Sequence, residues 1–304
     1  MKTPLHSPIL SEIKPIFRIA HLSDLHFIED KFTFSNLSCK SLLGKLNALI
    51  NRGRCFDYSR LRGLPSLLQS LGVNAVIITG DVSTTSAEEE FTFAKQYRDQ
   101  LKQKGIAVYL VPGNHDCYTK KAYTNSLFYQ FFDACWDEKL SYSLIQDGLS
   151  LKKLCPRWWI IGLDTTEPTP LFQSTGRFKA QTNLALKRAL EEIPLQDKVM
   201  MINHFPLTQK EPSRRGLKHI ETLQQILKEQ PRIQLYCHGH THHASLTDLR
   251  DESLPLVLDS GSTTQAKKSG WSLIDLYPSS ITIQHYTWNS SQWLGNLRET
   301  YDMV

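Results

Sequence analysis

The chain reads IAVYLVPGNHD from Ile106 to Asp116, an apolar run followed by a short polar group. The first six residues are rich in β-branched and aromatic side chains, which predicts a buried strand. Gly113 allows a sharp turn at the strand end. Asn114, His115 and Asp116 then supply an amide oxygen, an imidazole and a carboxylate. Because α/β sheets place their ligands at the carboxyl ends of strands, we interpret this loop as part of a functional site.

Composition indicates an ordinary globular protein. The 304 residues are 40% hydrophobic and 21% charged, and 35 Lys and Arg against 30 Asp and Glu give a formal net charge of +5. This mild basicity is compatible with an anionic substrate or a membrane surface. It does not predict nucleic-acid binding, because no Lys or Arg tract dominates the sequence.

Cysteine usage and the N-terminus indicate the compartment. The six cysteines are scattered without a C-x-x-C pair, which favours a reduced, cytoplasmic protein over a disulfide scaffold. Residues 1–15 contain no apolar signal-like segment, and no run is long enough to span a bilayer. We expect one domain over residues 1–304, located in the cytoplasm or peripherally on the cytoplasmic face of the inner membrane. The sequence does not predict an oligomeric state.

Predicted strands and helices alternate along the chain, which indicates an α/β fold, and a β-rich C-terminal third suggests a second sheet. Residues 27–63 break this alternation and are interpreted as an insertion. The predicted strands are 16–23, 73–79, 106–111, 158–163, 198–202 and 233–237. The predicted helices are 60–71, 86–104, 118–140, 178–193 and 217–229.

Five of the predicted strands end in polar residues of the kinds that bind metals. Carboxylate oxygens and imidazole nitrogens together suit Mn, Fe, Co or Zn. In an extended chain, residues two apart project to the same side, so D-x-H and H-x-H pairs can reach one point. Taken singly, each group is more readily explained as a turn or a helix cap, but five in succession favour a shared site. The residues are Asp24, His26, Asp81, Asn114, His115, Asp116, His204, His240 and His242.

These groups resemble the ordered motifs of the calcineurin-like metallophosphoesterase superfamily between residues 16 and 262. The resemblance implies a four-layer α-β-β-α sandwich, two β-sheets face to face with helices outside, and a dinuclear metal site at the strand ends. It also implies seven ligands. They are Asp24, His26 and His242 for one ion, Asn114, His204 and His240 for the other, and Asp81 for both.

The resemblance further implies phosphoester hydrolysis. Two metal ions lower the pKa of a shared water, which attacks phosphorus in line, and clamp the phosphoryl oxygens. His115 would protonate the leaving oxygen, and Asp116 would set the tautomer of His115. We expect two divalent ions, with manganese preferred and Fe, Co and Zn as alternatives.

The insertion and one later stretch bear on the substrate. On a helix, the apolar residues between Leu42 and Ile50 share one face, which Lys45 and Arg52 border. Such a stretch could rest on an anionic bilayer or hold an acyl chain, or it could simply pack on the domain with its basic face solvated. Arg214 and Arg215 follow the His204 motif and could bind a second phosphate or lie in a solvated loop.

Residues 45–54 resemble the corresponding stretch of the chlamydial-type UDP-2,3-diacylglucosamine pyrophosphatases of lipid A biosynthesis. That resemblance implies hydrolysis of a UDP-linked lipid to UMP and 2,3-diacylglucosamine 1-phosphate. The alternative is a cyclic nucleotide or general phosphodiesterase. A protein phosphatase or nuclease stays open, whereas a non-catalytic scaffold is disfavoured because every motif residue is present.

Overall fold

The computed structural model describes residues 14–28, 56–170, 173–208 and 214–303. These ranges contain two large sheets, each of six strands. In spatial order, so that adjacent strands are hydrogen-bonded, the first sheet contains β14 (Trp293–Asp302), β13 (Ser280–Trp288), β12 (Gly270–Leu276), β1 (Phe17–Leu22), β2 (Ala75–Ile78) and β3 (Ala107–Leu110). The second sheet contains, again in spatial order, β10 (Ser245–Asp248), β11 (Leu256–Asp259), β9 (Ile233–His238), β7 (Lys198–Ile202), β5 (Trp158–Leu163) and β4 (Leu149–Cys155).

Each sheet contains a set of parallel strands, so the loops after these strands lie at one edge of the sheet. Strands β1, β2 and β3 run parallel, and their ends align because Leu22 pairs with Ile78 and Ile78 with Leu110. In the second sheet β5, β7, β9 and β11 run parallel. A small parallel pair, β6 (Gly176–Arg177) and β8 (Leu217–Lys218), completes the strands of the described ranges. The loops after β1, β2, β3, β7 and β9 are therefore neighbours.

Helices cover the outer face of each sheet. Amphipathic helices bury one apolar face, and the core clusters show which sheet each helix covers. Phe91, Ala94 and Leu101 of the longest helix pack with the outer face of the first sheet, whereas Leu186 and Leu223 pack on the second. The helices are α1 (Ser59–Arg62), α2 (Leu64–Ser70), α3 (Glu88–Gln103), α4 (Lys120–Thr124), α5 (Ala180–Glu192) and α6 (Ile220–Glu229).

A third core cluster lies between the two sheets. It joins Ile19 and Ile77 of the first sheet to Ile160, Met200 and Leu235 of the second. Their side chains are fully buried, so the two sheets pack face to face through apolar residues. The four-layer α-β-β-α architecture predicted from the sequence is confirmed.

One predicted helix is wrong, and the C-terminal strands are distributed over both sheets. The helix predicted over 118–140 is limited to α4, because the chain leaves the helical conformation at Ser126, whose φ is +49°. Beyond it, Leu127–Gln130 and Glu138–Leu140 form short 3₁₀ helices, and Phe128 and Phe132 enter the core beside Phe91. Their spacing therefore reflects core packing and not one continuous α-helix. The predicted second sheet is present, but the C-terminal strands are divided between the two sheets, since β12 to β14 extend the first while β10 and β11 extend the second.

Most of the insertion, residues 29–55, lies outside the described residues, and Lys45 and Arg52 lie there too. The chain re-enters the described part at Phe56, which pairs with Gln265. Arg60 is buried and donates to the carbonyls of Gln265 and Ala266. Its guanidinium therefore fixes the segment that follows the insertion to the loop before β12. Among the described residues, no helix has the length and apolar run needed to cross a membrane.

Candidate metal centre

The loops that follow β1, β2, β3, β7 and β9 place the predicted ligands around one buried point. Two hydrogen bonds join the loops of the two sheets there, and a third joins the β7 and β9 loops within the second sheet. His204 Nδ1 lies 2.7 Å from the Thr79 carbonyl oxygen, the Gly239 amide donates to the His204 carbonyl over 3.1 Å, and the His240 amide donates to Asp24 over 3.0 Å. The site is therefore fixed by both sheets.

The first group consists of Asp24, His26 and His242. Asp24 Oδ1 lies 3.2 Å from His242 Nε2 and 3.7 Å from His26 Nε2, and the two histidine Nε2 atoms are 3.1 Å apart. Asp24 is fully buried and His26 is nearly so. Three ligand atoms thus converge from the β1 and β9 loops.

The second group consists of Asn114, His204 and His240. His204 Nε2 lies 3.1 Å from Asn114 Oδ1 and 3.1 Å from His240 Nδ1. These residues come from the β3, β7 and β9 loops, so three strand ends contribute to this half of the site.

Asp81 connects the two groups. Its Oδ2 lies 3.8 Å from His26 Nε2 and 3.4 Å from His204 Nε2, so one oxygen faces both halves. Its Oδ1 accepts a hydrogen bond of 2.7 Å from the His115 amide, which fixes the carboxylate in this orientation. Asp81 therefore has the position of a bridging ligand.

These distances fit a pair of divalent cations. Metal bonds of about 2.0–2.2 Å place neighbouring ligand atoms about 3.0–3.5 Å apart. The closest contacts within the two groups are 3.1–3.2 Å. In addition, the buried Asp24 Oδ1 accepts no hydrogen bond from the described residues, as expected of an oxygen that coordinates a cation. Asp, Asn and His side chains suit Mn, Fe, Co and Zn alike.

Backbone carbonyls orient two of the imidazoles. His204 Nδ1 donates to the Thr79 carbonyl over 2.7 Å, which leaves Nε2 to coordinate. His240 Nε2 donates to the Arg215 carbonyl over 2.9 Å, which leaves Nδ1 as the coordinating atom. Such bonds select the tautomer and hold the ring in place before a metal binds.

The buried charges are balanced within the cluster. Burial alone would raise the pKa of Asp81, yet His204, His115 and His26 hold it well below its usual range. Burial alone would lower the pKa of His204, but Asp81 and Asp24 raise it to about 9. The carboxylates are therefore ionised, and a metal that binds His204 displaces a proton.

The ligands reach the site through unusual backbone geometry rather than through extended chain. The φ angles are +53° at Asp24, +48° at His26, +71° at His240 and +57° at His242, all in the left-handed region. The explanation of the D-x-H and H-x-H spacings by strand alternation is therefore wrong, although the residues do converge. Strained backbone of this kind persists where surrounding contacts hold it.

Two glycines allow the motif loops to touch the ligands. A Cβ on Gly113 would collide with Asp81 Oδ1, and a Cβ on Gly239 would collide with Ser23 Oγ and Asp24 Oδ2. The close approach of backbone to carboxylate therefore requires glycine at both positions.

His115 lies at the edge of the metal groups. It is half-buried, and its ring stacks on Tyr118 with centroids 5.4 Å apart. One of its ring nitrogens lies within 4.8 Å of ligand atoms of His26 and Asp81. Its Nδ1 lies 2.7 Å from the Thr84 carbonyl oxygen, which sets the Nδ1–H tautomer of the neutral ring. The geometry suits a proton donor beside a phosphoryl group.

Asp116 does not set that tautomer, contrary to the sequence-based prediction. Its carboxylate accepts from the amides of Ser83 over 2.8 Å and Gly113 over 2.9 Å, and from the Ser83 hydroxyl over 2.9 Å. Burial and the nearby charge of Asp81 raise its pKa to about 7. Asp116 thus ties the β2 and β3 loops together and acts on His115 only through the backbone.

Sequence reasoning missed Phe56, whose ring forms a wall of the metal centre. Its centroid is 4.9 Å from that of His26 and 6.4 Å from that of His242. Phe56 follows the insertion and carries no metal-binding group, so its position depends on the pairing with Gln265. No local pattern in the sequence signals this contact.

The two predicted arginines that lie in the described part are at the surface. Arg214 and Arg215 are exposed, and Arg215 contacts the site through its carbonyl, which accepts from His240. Its side chain can therefore change without removing that bond.

A family comparison agrees with this geometry. The family model described as calcineurin-like phosphoesterase matches residues 17–244, which include every residue of the two metal groups. The chain belongs to this family. Calcineurin-like phosphoesterases use divalent metal ions, and the clusters described above are where this member can hold them.

Individual relatives of this calcineurin-like phosphoesterase are distant. A protein of Arcobacter nitrofigilis described as a probable glycerophosphodiester phosphodiesterase, GpdQ, is 26% identical over 182 residues, 57% of this chain and 58% of the relative. A dimetal phosphatase from Danio rerio superposes with a TM-score of 0.64 at 15% identity, covering 96% of this chain and all of that one. The yellow lupin purple acid phosphatase PPD1 gives 0.62 at 10% identity, covering 95% of this chain and 54% of that one. The two structures support the fold alone.

Proposed function

We propose that this protein hydrolyses a phosphodiester or diphosphate bond with the aid of two divalent metal ions, Mn²⁺ being the preferred metal. The observation that carries the proposal is the single oxygen of Asp81 that faces both ligand groups, 3.8 Å from His26 Nε2 and 3.4 Å from His204 Nε2. When bound, such a metal pair lowers the pKa of a water molecule and neutralises phosphoryl oxygens.

The residues of the chain prepare the site for an anion. Only Asp24 and Asp81 among the seven candidate ligands are carboxylates, since the others are amide or imidazole groups that bind a metal in their neutral form. Two divalent cations therefore outweigh the ligand charge, and a phosphate group is attracted. The ring of Phe56 packs against His26, which is nearly fully buried.

His115 supplies the proton that hydrolysis requires. When the phosphorus–oxygen bond breaks, the leaving oxygen gains negative charge and needs a proton unless it is already a weak base. With Nδ1–H held by the Thr84 carbonyl, the imidazolium form of His115 carries its second proton on Nε2, and that proton is the one that can be transferred to the leaving oxygen. Water supplies the oxygen added to phosphorus, so no covalent enzyme intermediate is needed.

UDP-2,3-diacylglucosamine is our first candidate substrate, with UMP and 2,3-diacylglucosamine 1-phosphate as products. The support comes from the sequence, namely the apolar stretch bordered by Lys45 and Arg52, which lies outside the described residues. Such a lipid substrate would place the protein in the cytoplasm, in peripheral contact with the inner membrane. We also propose that residues 1–304 form one domain.

A phosphodiester is the second candidate substrate, either a glycerophosphodiester or a cyclic nucleotide. The relative from Arcobacter nitrofigilis favours this class, although the matched region spans 58% of that protein. Diphosphate and phosphodiester linkages both present a phosphorus with one leaving group, so the same site chemistry serves either.

One panel of substrates separates these candidates. Purified protein with Mn²⁺ would be assayed against UDP-2,3-diacylglucosamine in detergent, a glycerophosphodiester, cyclic AMP and bis-p-nitrophenyl phosphate, with products identified by mass. We expect turnover of at least one substrate that requires added metal and stops with chelator. Turnover that persists after complete metal removal would refute the proposed chemistry.

Phe56→Ala is expected to raise KM with little change in metal content. The ring lies against His26 and His242, where a bound substrate would meet it. Losing one aromatic contact costs about 0.5–1.5 kcal/mol, which corresponds to about a twofold to tenfold rise in KM. The measurement is steady-state kinetics on the best substrate of the panel. Phe93→Ala, on the exposed face of α3, is the matched control; equal KM values in the two variants would contradict a substrate-facing role for Phe56.

Arg214→Ala combined with Arg215→Ala is expected to raise KM about twofold to fivefold while kcat is retained, since exposed charges contribute about 0.2–1 kcal/mol. The Arg215 carbonyl that accepts from His240 is kept in this variant. The double variant Lys187→Ala with Arg188→Ala, exposed on α5, removes the same charge elsewhere. A KM that changes as much in the control, or that does not depend on salt, would exclude a phosphate-binding role.

A further inference from the structure

The loop between β2 and α3 surrounds His115. We define residues 82–87 as the Thr84 loop. The Thr84 carbonyl accepts from His115 Nδ1 over 2.7 Å, and the Ser86 hydroxyl donates to the His115 carbonyl over 2.7 Å. The Ser83 hydroxyl donates to the same carbonyl over 3.1 Å. Both the ring and the backbone of His115 therefore depend on the shape of this loop.

A buried carboxylate on α3 holds the loop in that shape. Glu90 Oε2 accepts from the amides of Thr84 over 3.1 Å, Thr85 over 2.8 Å and Ala87 over 3.2 Å. Glu90 Oε1 accepts from the Thr85 hydroxyl over 3.1 Å. The side chain is only 1% exposed, so all of this bonding capacity is directed at the loop.

Helix capping alone does not account for these bonds. In a capping box, a Glu at the third helical position needs only the amide of the N-cap residue, here Ala87. That bond is the longest of the three to the backbone, whereas the Thr85 and Thr84 amides lie farther into the loop. Ser86 has a φ of +59°, a conformation that costs free energy in a non-glycine residue and needs support from its surroundings.

The burial of Glu90 is itself costly. Burial raises the pKa of Glu90 to about 7, although the donors of Thr85, Ala87 and Thr84 each lower it. An apolar residue at this position would avoid the cost of burying a carboxyl group but would leave three amides without an acceptor.

We propose that Glu90 is a positioning residue for leaving-group protonation, acting on His115 through the Thr84 loop. The inference rests on the proposed role of His115 as proton donor. The hydrogen bonds of Glu90 in the described part of the chain go to the Thr84 loop and not to a metal-binding side chain. By accepting from the Thr84 amide, Glu90 holds the residue whose carbonyl accepts from His115 Nδ1. Misplacement of a catalytic group by about 1 Å can cost about a hundredfold in rate.

The test compares two substrates in the holoenzyme with Mn²⁺. A bis-p-nitrophenyl ester leaves without a proton, whereas an alkyl phosphodiester of the same charge requires one. We expect Glu90→Ala to lower kcat about tenfold to a hundredfold on the alkyl ester and less than about threefold on the nitrophenyl ester. A general loss of folding or of metal would lower both rates equally.

Two further variants separate positioning from structure. Glu90→Gln keeps an oxygen for the three amides, and its NH₂ group can donate to the Thr85 hydroxyl, so it is expected to restore most of the alkyl-ester rate. In a His115→Ala background, Glu90→Ala should add less than about a twofold loss, because residues that act as a unit are not additive. Glu89→Ala, exposed on the same turn of α3, is the matched control.

The failures of the two proposals are distinguishable. If the wild-type protein turns over neither of these esters nor any other substrate of the panel, the proposed function fails, and the role of Glu90 in it fails as well. If the wild type is active but Glu90→Ala loses the same factor on both esters, loses metal ions, or is fully additive with His115→Ala, only the positioning role of Glu90 is overturned. Thermal unfolding of each variant shows that the compared proteins are folded.

Discussion

Asp81→Ala is expected to abolish two-metal binding and to lower kcat at least about a thousandfold, because a metal pair supplies several kcal/mol of charge stabilisation. Asp81 Oδ2 is the atom that faces both groups, so its loss weakens both metal positions together. The direct measurement is the metal content per chain after gel filtration, by inductively coupled plasma mass spectrometry. We expect about two Mn²⁺ per wild-type chain and fewer than half as many in the variant.

The variant should fold, which makes its loss of metal interpretable. Without metal, the ionised Asp81 is stabilised by His204, His115 and His26, and its loss leaves the buried charge of His204 with one partner fewer. In the presence of chelator the variant should therefore unfold in one cooperative transition at a lower temperature than the wild type, whereas added Mn²⁺ should stabilise only the wild type. Asp251→Ala, exposed in the turn before β11, is the control. Two tightly held ions per chain in Asp81→Ala would contradict a bridging role.

The grouping of the residues of the candidate metal centre could be predicted from the sequence because their motifs follow recognisable strands. Asp24, Asp81, Asn114 and His204 come directly after apolar runs, and parallel strands place such residues at one edge. The structure brings all four into the same cluster, together with the histidines of the β9 loop. What failed was the local explanation, since Asp24 and His242 reach the site from left-handed backbone conformations that no spacing rule reveals.

Contacts made by backbone atoms or by distant chain segments could not be predicted in this way. The acceptor for His115 Nδ1 is a carbonyl of Thr84, and every residue has a carbonyl, so the sequence carries no sign of it. The prediction that Asp116 plays this part was wrong because it relied on adjacency in sequence. Phe56 reaches His26 because it pairs with Gln265, more than two hundred residues away. Such pairings follow from the packing of the two sheets, not from a local pattern.

His115→Ala is expected to lower kcat about a hundredfold to ten-thousandfold on substrates with alkyl leaving groups, the usual range for loss of a general acid. On aryl esters whose leaving groups are weak bases, the loss should shrink steadily as leaving-group basicity falls. Plotted across such a series, the logarithm of kcat should fall more steeply with leaving-group pKa in the variant than in the wild type. That change of slope is the signature of a missing proton donor, because a purely structural defect lowers every rate equally.

Metal content decides between proton donation and coordination by the same residue. A ring nitrogen of His115 lies within 4.8 Å of ligand atoms of His26 and Asp81, so its imidazole is close enough to act as an additional ligand. If it donates a proton, His115→Ala keeps both ions and loses only the rate on basic leaving groups. If it coordinates, the variant loses metal, and excess Mn²⁺ restores the rates on all substrates alike. His243→Ala, an exposed histidine beside the ligand His242, controls for the loss of an imidazole from the same neighbourhood. We expect His115→Ala to retain both ions, for two reasons. The hydrogen bond from His115 Nδ1 to the Thr84 carbonyl holds the ring on the Thr84 loop. In addition, Asp81 Oδ2 already faces both His26 and His204 without His115.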